Sequence, residues 1–181
     1  MEYSEKIILK NGKEAWIRNA GEADGRSVYE VFQETHAETD FLLSYPDENS
    51  FTAEEEAQYL KRKTESKNEI EIIAVVDGKV VGCAGIEAVG AKDKVKHRAD
   101  FGISVLRDWW GLGIGGALTR ACIACAKKAG YLQLELQAVT ENERALALYR
   151  KAGFVEYGRN PRGFRSRTSG FQELALMLLE L

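Results

Sequence analysis

The segment that most constrains the fold is a glycine-rich run at residues 109–116, which reads Trp-Trp-Gly-Leu-Gly-Ile-Gly-Gly. A strand-like segment, 100–105, precedes it, and an uninterrupted helical pattern, 117–129, follows. Glycine allows a turn to adopt positive φ and lets the backbone approach a ligand closely. The free N–H groups of a helix's first turn, together with the helix dipole, favour an anion. We therefore predict a phosphate-binding turn here, as part of a cofactor site.

The composition is that of an ordinary globular protein. A length of 181 residues predicts one domain spanning residues 1–181. The formal net charge of −3 argues against nucleic acid as the main partner. We expect a cytoplasmic protein without membrane association, because no apolar run is long enough to cross a bilayer and the first residues lack a signal-peptide core.

Hydrophobic periodicity and turn residues predict the element order β-α-α-β-β-β-α-β-α-β-β. Such an order predicts a mixed sheet with helices on its faces. Within the strand 99–105, Gly102 suggests a β-bulge. The arginine-rich segment 159–170 is predicted to be a loop between two final strands, 154–157 and 171–181. The other predicted elements are a hairpin over 7–18, helices 22–36 and 53–64, a hairpin over 70–86, the helix 117–129, a strand at 132–136 and a helix over 143–152.

Two of the three cysteines, Cys122 and Cys125, have the spacing of a redox or metal motif. Both fall inside the helical pattern on one face, where a cysteine behaves as a small hydrophobic residue. No second pair or nearby histidine completes a metal site. We therefore predict core packing for both cysteines, and no metal.

Two motifs in the segment 99–154 together resemble the GCN5-related N-acetyltransferase (GNAT) superfamily. The first is the glycine turn itself. The second is the pattern Asn-x-x-Ala-x-x-Leu-Tyr-x-x-x-Gly-Phe, formed by Asn142, Ala145, Leu148, Tyr149, Gly153 and Phe154. A glycine turn alone is a weak signal, since nucleotide-binding turns look similar. The two motifs in order, separated by one helix and one strand, are specific.

This resemblance implies an α/β fold with a mostly antiparallel sheet, helices on both faces and a splayed central strand pair. It also implies acetyl-CoA as co-substrate, with its pyrophosphate on the backbone of the glycine turn and its pantetheine arm between the splayed strands. One departure is Trp110, where the family usually has Gln or Arg. The residues to which the resemblance assigns cofactor binding are Ile103, Ser104, Val105, Trp110, Gly111, Leu112, Gly113, Ile114, Gly115, Gly116, Asn142, Ala145 and Tyr149.

Acetyl transfer to an amine needs a proton acceptor for the amine and a proton donor for the leaving thiolate. By resemblance Tyr149 is the general acid, although its spacing also fits a core aromatic. Glu135 is the predicted base, although it also fits the polar face of an alternating strand. Asp100 is the second candidate for the base. Glu87 and His97 are weaker ones.

The acceptor pocket is expected from the first helices and the last loop. Acidic residues at 38–40 favour an ammonium group there, whereas Arg159, Arg162, Arg165 and Arg167 favour an acidic acceptor. These two clues oppose each other, so the acceptor amine, on a small molecule or a protein, stays open. The alternatives are a non-catalytic acetyl-CoA sensor on the same fold and, less favoured, an NAD-binding domain. The family also makes a homodimer possible.

Overall fold

Eight strands form one sheet in the computed structural model, which describes residues 1–181. The strand order is β1-β2-β3-β4-β5-β6-β8-β7. The strands are β1 (Ser4–Ile8), β2 (Glu14–Asn19), β3 (Ile70–Val76), β4 (Lys79–Ala88), β5 (Arg98–Val105), β6 (Gln133–Val139), β7 (Val155–Ser166) and β8 (Gly170–Glu180). The helices are α1 (Gly25–Glu38), α2 (Ala53–Glu65), α3 (Ile114–Ala129) and α4 (Glu143–Lys151).

The strand pair β5–β6 is parallel and splayed, whereas every other neighbouring pair is antiparallel. Pairing between β5 and β6 covers only Arg98–Asp100 against Gln133–Glu135. Beyond Asp100 the edge of β5 that faces β6 has no strand partner. The splay that the family resemblance implied is therefore present, and it leaves backbone groups of β5 free to bind a ligand.

Helices cover both faces of the sheet, as predicted. On one face the larger apolar core contains residues of α3 and α4, among them Leu118 and Leu146. On the other face a smaller core joins α1 and α2 to the sheet through Val31, Leu60 and Cys83. Cys122 and Cys125 are buried in the larger core as free thiols, which confirms their packing role. No helix is both long and apolar enough to span a membrane.

Two sequence predictions about strands are wrong. Gly102 is not a bulge, because β4 and β5 keep one register from Gly82–Val105 to Ala88–Ala99, without a shift. Segment 159–170 is not a loop throughout, since β7 runs on to Ser166 and pairs with β8. The arginines of this segment are compatible with a strand because β7 lies at the edge of the sheet with mostly exposed side chains, and an edge strand accommodates such charges.

Candidate functional site

A cavity of about 1020 Å³ passes through the gap between β5 and β6. The side chains that line this cavity lie on both faces of the sheet, because successive residues of a strand point to opposite sides. Phe101 and Ile103 pack into the core beside α3 and α4. Ser104 pairs with Cys83, which belongs to the core under α1 and α2, so Gly102 and Ser104 face that side. Strand β5 thus presents one set of residues to each end of the cavity.

The glycine turn forms one end of this cavity. Gly113 has φ 102° and directly precedes α3, and its carbonyl accepts a hydrogen bond from the Ala117 N–H at 3.1 Å. The N–H groups of residues 114–116 have no backbone acceptor. A Cβ at Gly115 would lie 3.2 Å from the Leu148 side chain, so glycine lets α3 approach α4 closely. The predicted anion site is therefore formed by backbone, and the Ile114 side chain lies in the core instead.

Four cationic side chains line the cavity, and all belong to the side of the glycine turn. They come from the β1–β2 turn, α3 and α4, and are Lys10, Arg120, Arg144 and Lys151. The Arg144 guanidinium lies 5.2 Å from the centre of the Trp110 ring. The Trp110 indole N–H donates to the Val105 carbonyl at 2.6 Å, so this tryptophan anchors the end of β5. Sequence reasoning missed Arg144, although it lies only two residues after Asn142 in the second motif.

Tyr149 lines the cavity from α4 and is nearly buried, at 8% exposed. Its ring packs edge-on against Phe101, with the ring centres 6.2 Å apart, and against Phe154 at 6.0 Å. Burial raises the pKa of Tyr149 to about 12, so its hydroxyl is protonated at neutral pH and can donate a proton. Asn142 and Ala145 also line the cavity, and the Asn142 side chain caps α4 by accepting from the Ala145 N–H at 3.2 Å.

Glu135 does not line the cavity, so the structure does not bring it together with Tyr149. Its neighbours Leu134 and Leu136 point into the larger core, so strand alternation directs Glu135 to the opposite face. Its carboxylate accepts two hydrogen bonds from the Arg98 guanidinium and one from the Gln133 amide at 2.9 Å. The bonds from Arg98 lower the pKa of Glu135 below its usual value. A carboxylate held in this way is a weak proton acceptor.

The other predicted bases differ in how free their side chains are. Asp100 pairs with Glu87 and Glu135 in adjacent strands and therefore lies on the same face of the sheet as Gly102. Loss of solvent and the negative charge of Glu135 raise the pKa of Asp100. Glu87 accepts a bond from Tyr59 at 2.5 Å and is paired with Lys63 at 2.8 Å. His97 does not line the cavity. Asp100 does not line the cavity either, although Phe101 and Gly102 beside it do. Among the predicted bases it is preferred because its carboxylate, unlike those of Glu135 and Glu87, is not held by a hydrogen bond or an ion pair.

The second end of the cavity is formed by the C-terminal half of α1, the segment that follows it, and β7. Phe41 lines the cavity there, whereas Glu38 and Asp40 do not. No group of three or more His, Cys, Asp or Glu side chains is arranged to hold a metal ion.

The fold and the site define a mixed α/β protein with a ligand cavity between two splayed parallel strands. Sequence comparison assigns the family. The model of the acetyltransferase (GNAT) family matches residues 26–154. The chain therefore belongs to the GNAT family.

Curated relatives match about half of the chain. L-amino acid N-acetyltransferase AaaT of Escherichia coli is 35% identical over 85 residues, which is 46% of this chain and 52% of that protein. N-alpha-acetyltransferase RimI of Mycobacterium tuberculosis is 36% identical over 88 residues, which is 49% of this chain and 53% of that protein. The chain thus spans about half the length of the curated relatives it matches.

Solved structures match over nearly the whole chain. A GNAT-family acetyltransferase from Streptococcus pneumoniae has a TM-score of 0.87 and 30% identity, covering 92% of this chain and 99% of its own. The yncA protein of Salmonella typhimurium, solved with its cofactor acetyl-CoA, has a TM-score of 0.81 at 18% identity, covering 92% and 94%. The second likeness shows a shared fold.

Proposed function

We propose that this protein transfers the acetyl group of acetyl-CoA to an amine by direct attack of the amine on the thioester. One observation carries the proposal: a single cavity joins an anion-binding turn to a second, open end through the gap between β5 and β6. A long cofactor can enter from the turn and meet an acceptor from the other face. The yncA structure, with its acetyl-CoA, supports this choice of cofactor.

The cofactor is held mainly by backbone in this proposal. The pyrophosphate lies on the free N–H groups of residues 114–116, where the dipole of α3 favours negative charge. Arg144 supplies the positive charge that Trp110, at the usual Gln or Arg position, lacks. The pantetheine arm then lies along the unpaired edge of β5 at Ile103 and Ser104, where its amides replace the missing strand.

The acceptor is proposed to be an α-amine, as on an amino acid or a peptide N-terminus. The names of AaaT and RimI, an L-amino acid and an N-alpha-acetyltransferase, support this class. The α-amine of a peptide N-terminus has a pKa of about 7.7 to 8.0, so roughly a tenth of it is already neutral near pH 7. The α-amine of a free amino acid lies beside a carboxylate, which raises its pKa, so a smaller fraction is neutral. The remaining proton needs only a modest base.

The reaction then needs two proton transfers around one acyl transfer. The neutral amine nitrogen forms a bond to the thioester carbon, and the carbon–sulfur bond breaks. Tyr149 donates its proton to the departing CoA thiolate, which has a pKa of about 8.5 as a free thiol. Asp100 accepts the amine proton through water, since Glu135 is held by Arg98. Glu135 keeps a supporting role, because its charge raises the pKa of Asp100.

The proposal is tested by incubating the protein with acetyl-CoA and a panel of α-amines and measuring the released CoA by titration of its thiol. Tyr149→Phe should lower kcat by about 10²- to 10⁴-fold, the usual contribution of a positioned acid, with acetyl-CoA affinity unchanged. Asp100→Asn should also lower kcat and remove the acidic limb of the pH profile. Glu135→Gln should act only through Asp100, by shifting that limb.

Direct binding of acetyl-CoA separates this enzyme from a sensor on the same fold. Tight binding without CoA release on any amine would favour the sensor. No binding would remove the cofactor assignment altogether.

A further inference from the structure

The acceptor end of the cavity carries no charged side chain. The residues of α1, the segment after it and β7 that line this end are Thr35, Thr39, Phe41, Leu42, Leu43 and Phe164. Strands β5 and β6 add the uncharged residues Gly102, Ser104 and Gln137. The Thr35 hydroxyl donates to the Val31 carbonyl at 2.8 Å within its own helix, which satisfies its polar group. Leu43 is 82% exposed, an uncovered apolar side chain at the rim. The surface offered to an acceptor is therefore mainly apolar.

The acidic residues next to this end are already bound by the protein. Glu38 accepts a hydrogen bond from the Arg107 backbone N–H at 2.8 Å. Asp40 accepts from the Ser166 hydroxyl at 2.5 Å and the Tyr45 hydroxyl at 2.9 Å. These bonds, with that from Ser166 the largest effect, lower the pKa of Asp40. Both carboxylates serve to hold the segment after α1 in place, and Asp40 ties it to the β7–β8 hairpin.

The arginines of the same hairpin are also engaged or directed away. Arg159 pairs with Glu156 at 2.6 Å and Glu173 at 2.8 Å. Arg167 pairs with Asp47 at 2.7 Å.

The remaining arginines of this hairpin, Arg162 and Arg165, do not line the cavity. Arg165 follows Phe164 in β7, so the two side chains lie on opposite faces of the strand. Arg162 and Arg165 lie over the exposed Phe171 ring, at 4.9 and 5.9 Å from its centre. Phe164 therefore lines the cavity, whereas neither arginine does.

We infer that the acceptor carries its amine beside an apolar side chain, which packs against Phe41, Leu43 and Phe164. This inference rests on the proposed function and narrows its substrate class. A cationic or anionic side chain on the acceptor would lose hydration at this end without gaining a partner charge, which is unfavourable. The same chemistry occurs in a free apolar amino acid and in a peptide with an apolar first residue.

A comparison of kcat/KM over matched acceptors tests the inference. Leucine, methionine and phenylalanine are compared with aspartate, lysine and glycine, both as free amino acids and as the first residue of otherwise identical tetrapeptides. We expect kcat/KM to be higher for the apolar acceptors than for the others, among free amino acids or among tetrapeptides, depending on which of the two the protein acetylates. Phe164→Ala should lower kcat/KM for them by about 10- to 100-fold, the range for losing one buried aromatic contact.

Phe171→Ala is the matched control, because it removes an exposed phenylalanine from the opposite face of the same hairpin. It should leave kcat/KM unchanged, and both variants should keep their affinity for acetyl-CoA. Equal or better turnover of aspartate or lysine would overturn the inference, as would an unaffected Phe164→Ala variant. A failure of the proposed function looks different, since no amine would then release CoA.

Discussion

Glu71 shows how burial within a folded sheet can keep a single carboxyl group protonated. Its carboxylate lies over Gly85, the residue paired with it in β4, where glycine leaves room. The nearby Lys63 ammonium is bound to Glu87 at 2.8 Å and to Glu69 at 3.5 Å instead. Burial raises the pKa of Glu71 to about 8, and the charges of Glu56 and Glu87 add to this while Lys63 opposes it. The protonated form is therefore favoured in the folded protein.

The pKa of Glu71 predicts how stability depends on pH. Its folded pKa lies above the unfolded value of about 4.3, so the native state holds the extra proton between these values and this contribution to stability is lost as pH rises toward 8. Glu71→Gln should therefore raise Tm at pH 9 and change it little at pH 5. Thermal melts of both proteins across this range measure the effect. An equal change in Tm at both pH values would contradict it.

Single catalytic residues were harder to predict from the sequence than the motifs that contain them. Tyr149 was expected at the site, and the structure places it in the cavity wall. Glu135 was also expected there, but Arg98, which lies diagonally across from it on β5, binds it. That contact joins residues 37 positions apart. Alternation within one strand gives the face of a side chain, but not the charge it meets on the next strand.

The helices, strands and turns that depend on neighbouring residues were predicted better than the features that depend on pairing between strands. The strand 99–105, the glycine turn and the helix 117–129 were predicted because each depends on neighbouring residues, although α3 begins three residues earlier, at Ile114. Gly130 ends α3 with φ 85°, as is typical of a C-cap. The extension of β7 was missed because its pairing with β8 is decided by contact between strands. The regular register at Gly102 was missed for the same reason.

The turn before α3 needs glycine at position 113, where φ is 102°. Gly113→Ala places a Cβ in open space but requires φ 102°, so the strain of about 1–2 kcal/mol falls on the backbone. We expect the turn to relax and acetyl-CoA affinity to fall about tenfold or more, as measured by calorimetry. Gly78→Ala is the matched control, with φ 78° and open space at a hairpin turn that does not line the cavity. It should lower Tm similarly and leave affinity intact.

A ligand that binds in the gap between β5 and β6 should raise the free energy of unfolding of the whole molecule. A ligand that binds only the folded state, at 100 times its Kd, adds about 2.7 kcal/mol to the free energy of unfolding. For a chain of this size, acetyl-CoA should then raise Tm by about 5 to 10 °C. Tyr149→Phe should show the same increase, because the cofactor is held mainly by backbone. An unchanged Tm at saturating acetyl-CoA would contradict a site in the gap.

Strand β5 has one further consequence, which concerns how such a protein can change over generations. Its odd-numbered residues lie on the side of α3 and α4, and its even-numbered residues lie on the side of α1 and α2. Under the proposed function, substitution of an even-numbered residue therefore changes the side chains offered to the acceptor and keeps those on the side of the acetyl donor. Insertion or deletion of one residue in β5 is the exception, since it would exchange the two sets at once. We expect variation in this strand to occur by replacement and not by change of length.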